Sequence, residues 1–164
     1  LTGDIENPTI AKGGTVLTNQ NWYNLKAACM KIVNNEEKQE NEITAKTTMI
    51  YRNQWNEVCN WLSGKGYDIE DSTSWGNYSN NTEEGAGTPQ TAGYSENWKA
   101  NNIYDFAGNF REWTQEAYNT GDRVYHGGLY TVSGSLNPAS FRNGGNPDVD
   151  SSSFISTRCT LYIM

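Results

Sequence analysis

Asn102-Ile-Tyr-Asp-Phe-Ala-Gly-Asn-Phe-Arg-Glu-Trp-Thr114 is where the chain changes character. Before it lie helical periodicity and long polar loops. From it onward, short runs of β-branched and aromatic residues alternate with Gly and Asn turns: RVYHGGLYTV (123–132), SFRNGGNPDVD (140–150) and STRCTLYIM (156–164). That pattern predicts short strands joined by tight turns. The last run, Cys159–Ile163, is rich in strand formers and is expected to pair in the core sheet.

Working outward, Trp22, Leu25, Ala28, Cys29, Ile32 and Val33 recur at three- and four-residue spacing. This predicts a helix over about 21–34, capped by Asn19 or Asn21. A second helix is predicted over about 52–62, with Trp55, Val58, Cys59 and Leu62 on one face and Gly64 and Gly66 ending it. Residues 1–20 read as an extended lead-in, with turn signals at Asn7-Pro8 and Gly13-Gly14. Residues 34–47 (NNEEKQENEITAKT) read as a solvated loop or fraying helix end. Residues 67–99 read as one long loop punctuated by Trp75, Tyr78, Tyr94 and Trp98. A loop of that length is functional or packs around its own aromatics.

The 164 residues fit a single domain, 1–164. Twelve basic against 19 acidic residues give a net charge of −7, which argues against nucleic acid as a partner because phosphate binding needs a basic face. Apolar residues make up 35% and mean hydropathy is −0.78, with no run near a membrane span, so no membrane insertion is expected. The chain opens on Leu1 and is read as trimmed at its front. Three cysteines without C-x-x-C spacing give no zinc signature; they read as three buried thiols, with a single bridge as the alternative. One histidine excludes multi-histidine metal centres. Six Trp, ten Tyr and sixteen Gly suit a loop-rich fold and equally a binding surface of rigid aromatics among adaptable polar groups.

The 102–114 stretch resembles the N-x-Y-D-x-x-G-N-x-x-E-W-T signature of the formylglycine-generating-enzyme family. Arg123-Val-Tyr-His-Gly-Gly128 resembles the family's R-V-x-R-G-G strand, and Arg142-Asn-Gly-Gly-Asn-Pro-Asp148 its R-x-x-x-x-P-D turn. Trp22 to Cys29 resembles its W-x-x-A-x-x-Y/F-C helix. Thr48 to Trp61 resembles its L-P-T-E-A-E-W-E helix, with Thr-Met-Ile in place of Leu-Pro-Thr. The family's N-terminal strand is missing. The resemblance implies an α+β fold of the C-type-lectin-like kind: two helices, a small twisted antiparallel sheet and long ordered loops. It also implies one of two trades, cysteine oxidation in sulfatases by a copper-binding cysteine pair, or binding without catalysis. The interval that holds the enzymes' pair is Leu129 to Phe141 here, and it contains no cysteine. A thiolate is needed to hold copper(I) and to carry the redox step, so no copper and no catalysis are expected.

Residues 117–163 contain no Lys, Glu, Gln, Met or Trp, although these types number 33 of 164 and about nine would be expected there. Strands are poor in Lys and Glu, which accounts for part of the gap. Randomising the leading bases of AAT or AAC codons produces every residue type except those five. In this the chain resembles the variable proteins of diversity-generating retroelements, found on phage tail tips and bacterial surfaces. The resemblance implies a variable ligand-binding region over 129–157, with Tyr130, Val132, Ser135, Leu136, Phe141, Asn143, Gly144, Val149, Asp150, Ser152, Phe154 and Ile155 as binding positions and Tyr130, Phe141 and Phe154 as anchors. The plain alternative is that Val132, Phe141 and Phe154 fill the core. Gly127, Gly128, Pro138, Ala139, Arg142, Pro147, Asp148 and Arg158 would be scaffold. The implied partner is a host or target cell-surface protein or glycan, bound by several copies of the chain for avidity.

The family also places a structural calcium in the loop matching 105–112. Asp105 and Glu112 would give carboxylates, and Ala107, Gly108 and Phe110 carbonyls, the hard oxygens calcium prefers. The alternative is that Asp105 caps a turn and Glu112 pairs with Arg123 or Arg158. Asn109 is expected to satisfy loop backbone and Trp113 to pack on the sheet. The alternatives are a carboxylate-pair hydrolase, a structural spacer of a fibre or pilus, and an iron-dependent sulfur-chemistry enzyme of the same fold, which His126 alone does not support.

Overall fold

The computed structural model describes residues 1–33, 45–149 and 152–163. Helix α1 (Trp22–Ile32) starts where Asn21 Oδ1 accepts the Asn24 N–H at 2.8 Å, so Asn21 is the cap. Its apolar stripe, Trp22, Leu25, Ala28 and Cys29, is buried. Helix α2 (Arg52–Gly64) buries Trp55, Cys59 and Leu62 and stops before Gly66, which takes φ +91°.

The lead-in folds back on itself: β1 (Thr2–Gly3) pairs with β2 (Pro8–Thr9) and Thr2 is buried. Next come β3 (Ala45–Met49), β4 (Lys99–Ala100), β5 (Ile103–Tyr104), β6 (Arg111–Ala117), β7 (Arg123–His126), β8 (Arg142–Gly145), β9 (Ile155–Thr157) and β10 (Cys159–Ile163). The main sheet has the order β8-β7-β6-β9, antiparallel except that β9 runs parallel to β6.

Two expectations are corrected here. The last strand does not join the main sheet. It pairs antiparallel with β3, from Cys159 opposite Met49 to Ile163 opposite Ala45. Residues 45–47 of the predicted solvated stretch therefore belong to a strand. The cause is Thr47: its buried hydroxyl donates to Cys29 O at 2.7 Å and accepts from Val33 N at 2.9 Å, closing the end of α1. The rest of that stretch, 34–44, lies outside the described residues.

The core has two parts. One joins α1 to the sheet through Leu25, Met49, Trp113 and Tyr125. The other joins α2 to the long 67–99 loop through Trp55, Trp75, Tyr78 and Phe106. That loop holds two single 3₁₀ turns, Thr73–Trp75 and Glu96–Trp98, and is packed around its own aromatics as expected, with Trp75, Tyr78 and Trp98 buried and Tyr94 exposed. Asn109 fastens it. Its Oδ1 accepts from Gln90 N (3.1 Å) and Asn77 Nδ2 (3.2 Å), and its Nδ2 donates to Gln90 O (3.2 Å). Asn77 in turn holds Gly87 N and Thr88 O. These bonds supply the partners that buried loop backbone requires.

Gly108 makes this clasp possible. It has φ +73°, and a Cβ there would lie 2.2 Å from Asn77 O. Gly108→Ala is expected to cost about 3 kcal/mol or more, since backbone on both sides must move. Urea unfolding of the two proteins checks this.

Candidate functional site

The signature loop enters with Asp105 in the left-handed region (φ 52°). Its Oδ2 accepts from Gly93 N at 2.7 Å. Burial pushes its carboxyl above the ordinary range, against the Gly93 N–H and the charge of Arg158. Glu112 is buried on β6, and both its oxygens accept from Arg158, Oε1 at 2.7 Å from Nη2 and Oε2 from Nε. Arg158 Nη2 also donates to Asp105 O at 3.1 Å.

Calcium does not fit this set. A guanidinium already neutralises the Glu112 carboxylate and occupies the space between it and Asp105 O. Ala107 O packs against Gly76 and so is turned into the protein. The expected pairing of Glu112 with Arg158 is what the structure contains. No group of three or more His, Cys, Asp or Glu residues suited to a metal occurs among the described residues.

Phe110, expected only as a carbonyl donor, carries a different role. Its ring meets Tyr130 edge-on at 5.7 Å, and Tyr130 meets Phe154 at 6.1 Å. The three rings form a half-exposed platform on the surface. Beside it Arg111 lies 5.7 Å from the Phe141 ring and donates to Asn137 Oδ1 at 2.9 Å. The three predicted anchors are thus gathered around a Phe110-Arg111 pair that sequence reading passed over. The signal was two large side chains next to a Gly-Asn turn at the start of a strand.

No protein-family model matches this chain, and no curated protein matches it. Among solved structures it is similar to Treponema denticola variable protein 1, at 18% identity and a TM-score of 0.61, over 93% of this chain and 74% of that one. The fold is C-type-lectin-like. It is also similar to CarF, at 17% identity and a TM-score of 0.53, over 73% of this chain and 48% of CarF.

On this C-type-lectin-like frame none of the eleven described binding positions is buried. They do not all meet. Ser135 and Leu136 occupy the turn before Asn137. Asn143 and Gly144 lie on β8. Val149 and Ser152 lie near the start of α1, where Pro147 O accepts from Trp22 N and Ser152 O from Asn19 N. Phe141 and Ile155 lean half-buried on the core. Gly144 sits under Tyr118, and a Cβ there would lie 2.5 Å from its ring, so this position resists side chains. Asp150 lies outside the described residues. Of the scaffold positions, Gly128 is fixed by Tyr78, which a Cβ would meet at 2.2 Å, and Ala139 is fully buried. Arg142 and Asp148 are exposed; Arg142 is anchored by Glu116, its Nη2 2.7 Å from Oε1.

Cys29 and Cys159 carry free thiols 2.7 Å apart between α1 and β10, and Cys59 is buried alone on α2. Burial pushes the Cys59 thiol up to about 12, so it is no nucleophile at neutral pH.

His126 stacks on Trp55 at 5.3 Å, and its Nε2 lies 3.7 Å from Glu116 Oε2. Burial pulls its imidazole down to about 4 against the attraction of Glu116. The folded chain takes up this proton near 4 and the unfolded chain near 6.5. The stabilisation is therefore full above 6.5 and is lost as pH falls through that interval. Unfolding free energy is expected to drop by about 2 kcal/mol between pH 7 and pH 5, and His126→Gln to flatten this slope. Separately, millimolar calcium or EDTA is expected to leave the melting temperature unchanged. Arg158→Met should cost about 3 kcal/mol or more by stranding the Glu112 carboxylate.

Proposed function

We propose that this chain is a non-enzymatic binding protein that presents a diversified face, residues 129–157, on a C-type-lectin-like scaffold. The observation that carries the reading is that none of the eleven described binding positions is buried and that two of them, Tyr130 and Phe154, form a surface platform with Phe110. Two further observations support it. Residues 117–163 lack the five residue types that AAY randomisation cannot reach. One fold neighbour carries the name variable protein.

The ligand is a protein or glycan on a host or target cell. Stacked aromatics give such a surface rigid contact area at low entropic cost. The setting is a virion tail tip or a bacterial surface, where several copies raise avidity. An oxidase of the formylglycine-generating kind is disfavoured because 129–141 holds no cysteine and the two adjacent thiols join α1 to β10. A spacer domain leaves the aromatic platform without a purpose.

Sequencing many copies of the gene from one natural population, with flanking DNA, is expected to show substitutions concentrated at AAY-derived codons within 129–157, sparing Gly128 and Ala139. A region as quiet as the helices would sink the diversification. In a multimer-staining assay on cells that bind the protein, Tyr130→Ala with Phe154→Ala is expected to weaken binding by about tenfold or more with an unchanged circular dichroism spectrum.

A further inference from the structure

Strand β8 borders the main sheet, and among the described residues it pairs with β7 alone. Just before it, Gly127 N donates to Phe141 O at 3.1 Å, which makes 127 and 141 a hydrogen-bonded pair. In an antiparallel ladder such pairs alternate with pairs whose backbone groups point away from the partner strand. Asn143, opposite Tyr125, therefore turns its N–H and C=O toward β7, and Gly144, opposite Val124, turns its own to the open edge. The Gly144 N–H is answered by the side chain before it, donating to Asn143 Oδ1 at 2.8 Å. Asn143 is exposed.

That contact sets the Gly144 nitrogen beside Asn143 Cγ, one bond beyond Oδ1, and these two atoms close a five-membered ring when they join. Closure needs a nitrogen whose proton is not held in a ladder, a following residue without a Cβ to obstruct the approach, and solvent at the site. Asn143 meets all three, and it is the only asparagine of the chain that precedes a glycine. Asn137 and Asn146 precede prolines, which have no N–H, and Asn77 and Asn109 are buried. We propose that Asn143 is a site of spontaneous covalent modification, closing to a succinimide with Gly144 and opening to isoaspartate and aspartate. Hydroxide removes the Gly144 amide proton, the nitrogen attacks Cγ, and the Cγ–Nδ2 bond breaks, Nδ2 leaving as ammonia with a proton from water. Water then opens the imide. Breaking the new Cγ–N bond gives aspartate; breaking the original backbone C–N bond gives isoaspartate, whose main chain is longer by one methylene. Either product puts a carboxylate on the sheet edge next to Arg142. The reaction is independent of the binding-face reading; its consequence, a charge that enters the contact surface as the protein ages, rests on that reading.

The test is a time course of the folded chain in mildly alkaline buffer at physiological temperature, read by mass spectrometry of the tryptic peptide 143–158 and by enzymatic methylation of isoaspartate. A sample digested at time zero corrects for the digestion, and a urea-unfolded chain runs beside it. Asn143 is expected to gain one mass unit about tenfold or more faster than any other described asparagine, in proportion to hydroxide, as isoaspartate and aspartate together. Gly144→Ala is unsuited as a control, because its Cβ would lie 2.5 Å from the Tyr118 ring. Asn143→Gln keeps the amide at an exposed position and lengthens the ring to six members, so it should fold and abolish the change. An intact Asn143 in the folded chain, loss confined to the unfolded chain, aspartate without isoaspartate, or an equal rate at position 143 in the glutamine variant would each overturn the proposal.

Discussion

The guanidinium of Arg158 is the junction on which the rest of this structure hangs. It grips Glu112 on β6 with two bonds, donates to the carbonyls of Tyr104 and Asp105, and lies over Trp55 of α2 at 5.8 Å and Phe106 at 5.2 Å. It leaves the chain in the one-residue gap between β9 and β10, so it ties the main sheet, the separate β3–β10 ribbon, α2 and the signature loop to one point. A buried ion pair of this kind adds little net stability over an apolar replacement, yet it fixes geometry, because either partner left alone is heavily penalised.

Around that point the protein divides its labour. Two small cores hold the helices to the sheet and to the long loop, and an asparagine clasp, Asn77 with Asn109, gives 67–99 the order that helices get from their own hydrogen bonds. Backbone amides inside such a loop must be answered by side chains. Short carboxamides, with a donor and an acceptor each, do this with few atoms. The crowd of Asn in the composition thus has a structural purpose at these two positions.

Much of this was legible in the sequence. Both helices announce themselves by apolar spacing, and Asn21 by its place before the stripe. The aromatic packing of 67–99 and the role of Asn109 followed from residue type. The partner of β10 was not legible, because strand pairing depends on residues far apart in sequence, and nothing in AKTTM distinguishes it from the polar stretch before it. Thr47 closes α1 only because the chain returns to that end. The partner of Glu112 was hidden for a related reason: by residue type it is a good cation ligand, and it is held by an arginine 46 residues away. The Phe110 ring carries no sequence signal of its own, because a single aromatic at the start of a strand reads equally well as core. Tyr130, Phe141 and Phe154 do lie near one another, and what joins them, Phe110 and Arg111, lies outside the region that composition marks.

The sheet order has a consequence for how such a region can change. Its two outer strands, β8 with four residues and β9 with three, both fall inside 129–157. Exposed strand edges invite pairing with another molecule, and long apolar ones aggregate. Here the edges are short, and β8 reads Arg-Asn-Gly-Gly, with a charge and two weak strand formers. The sheet borders within the proposed binding region are therefore too brief to template a fibril. Colloidal solubility is guarded by backbone length, which substitution does not alter.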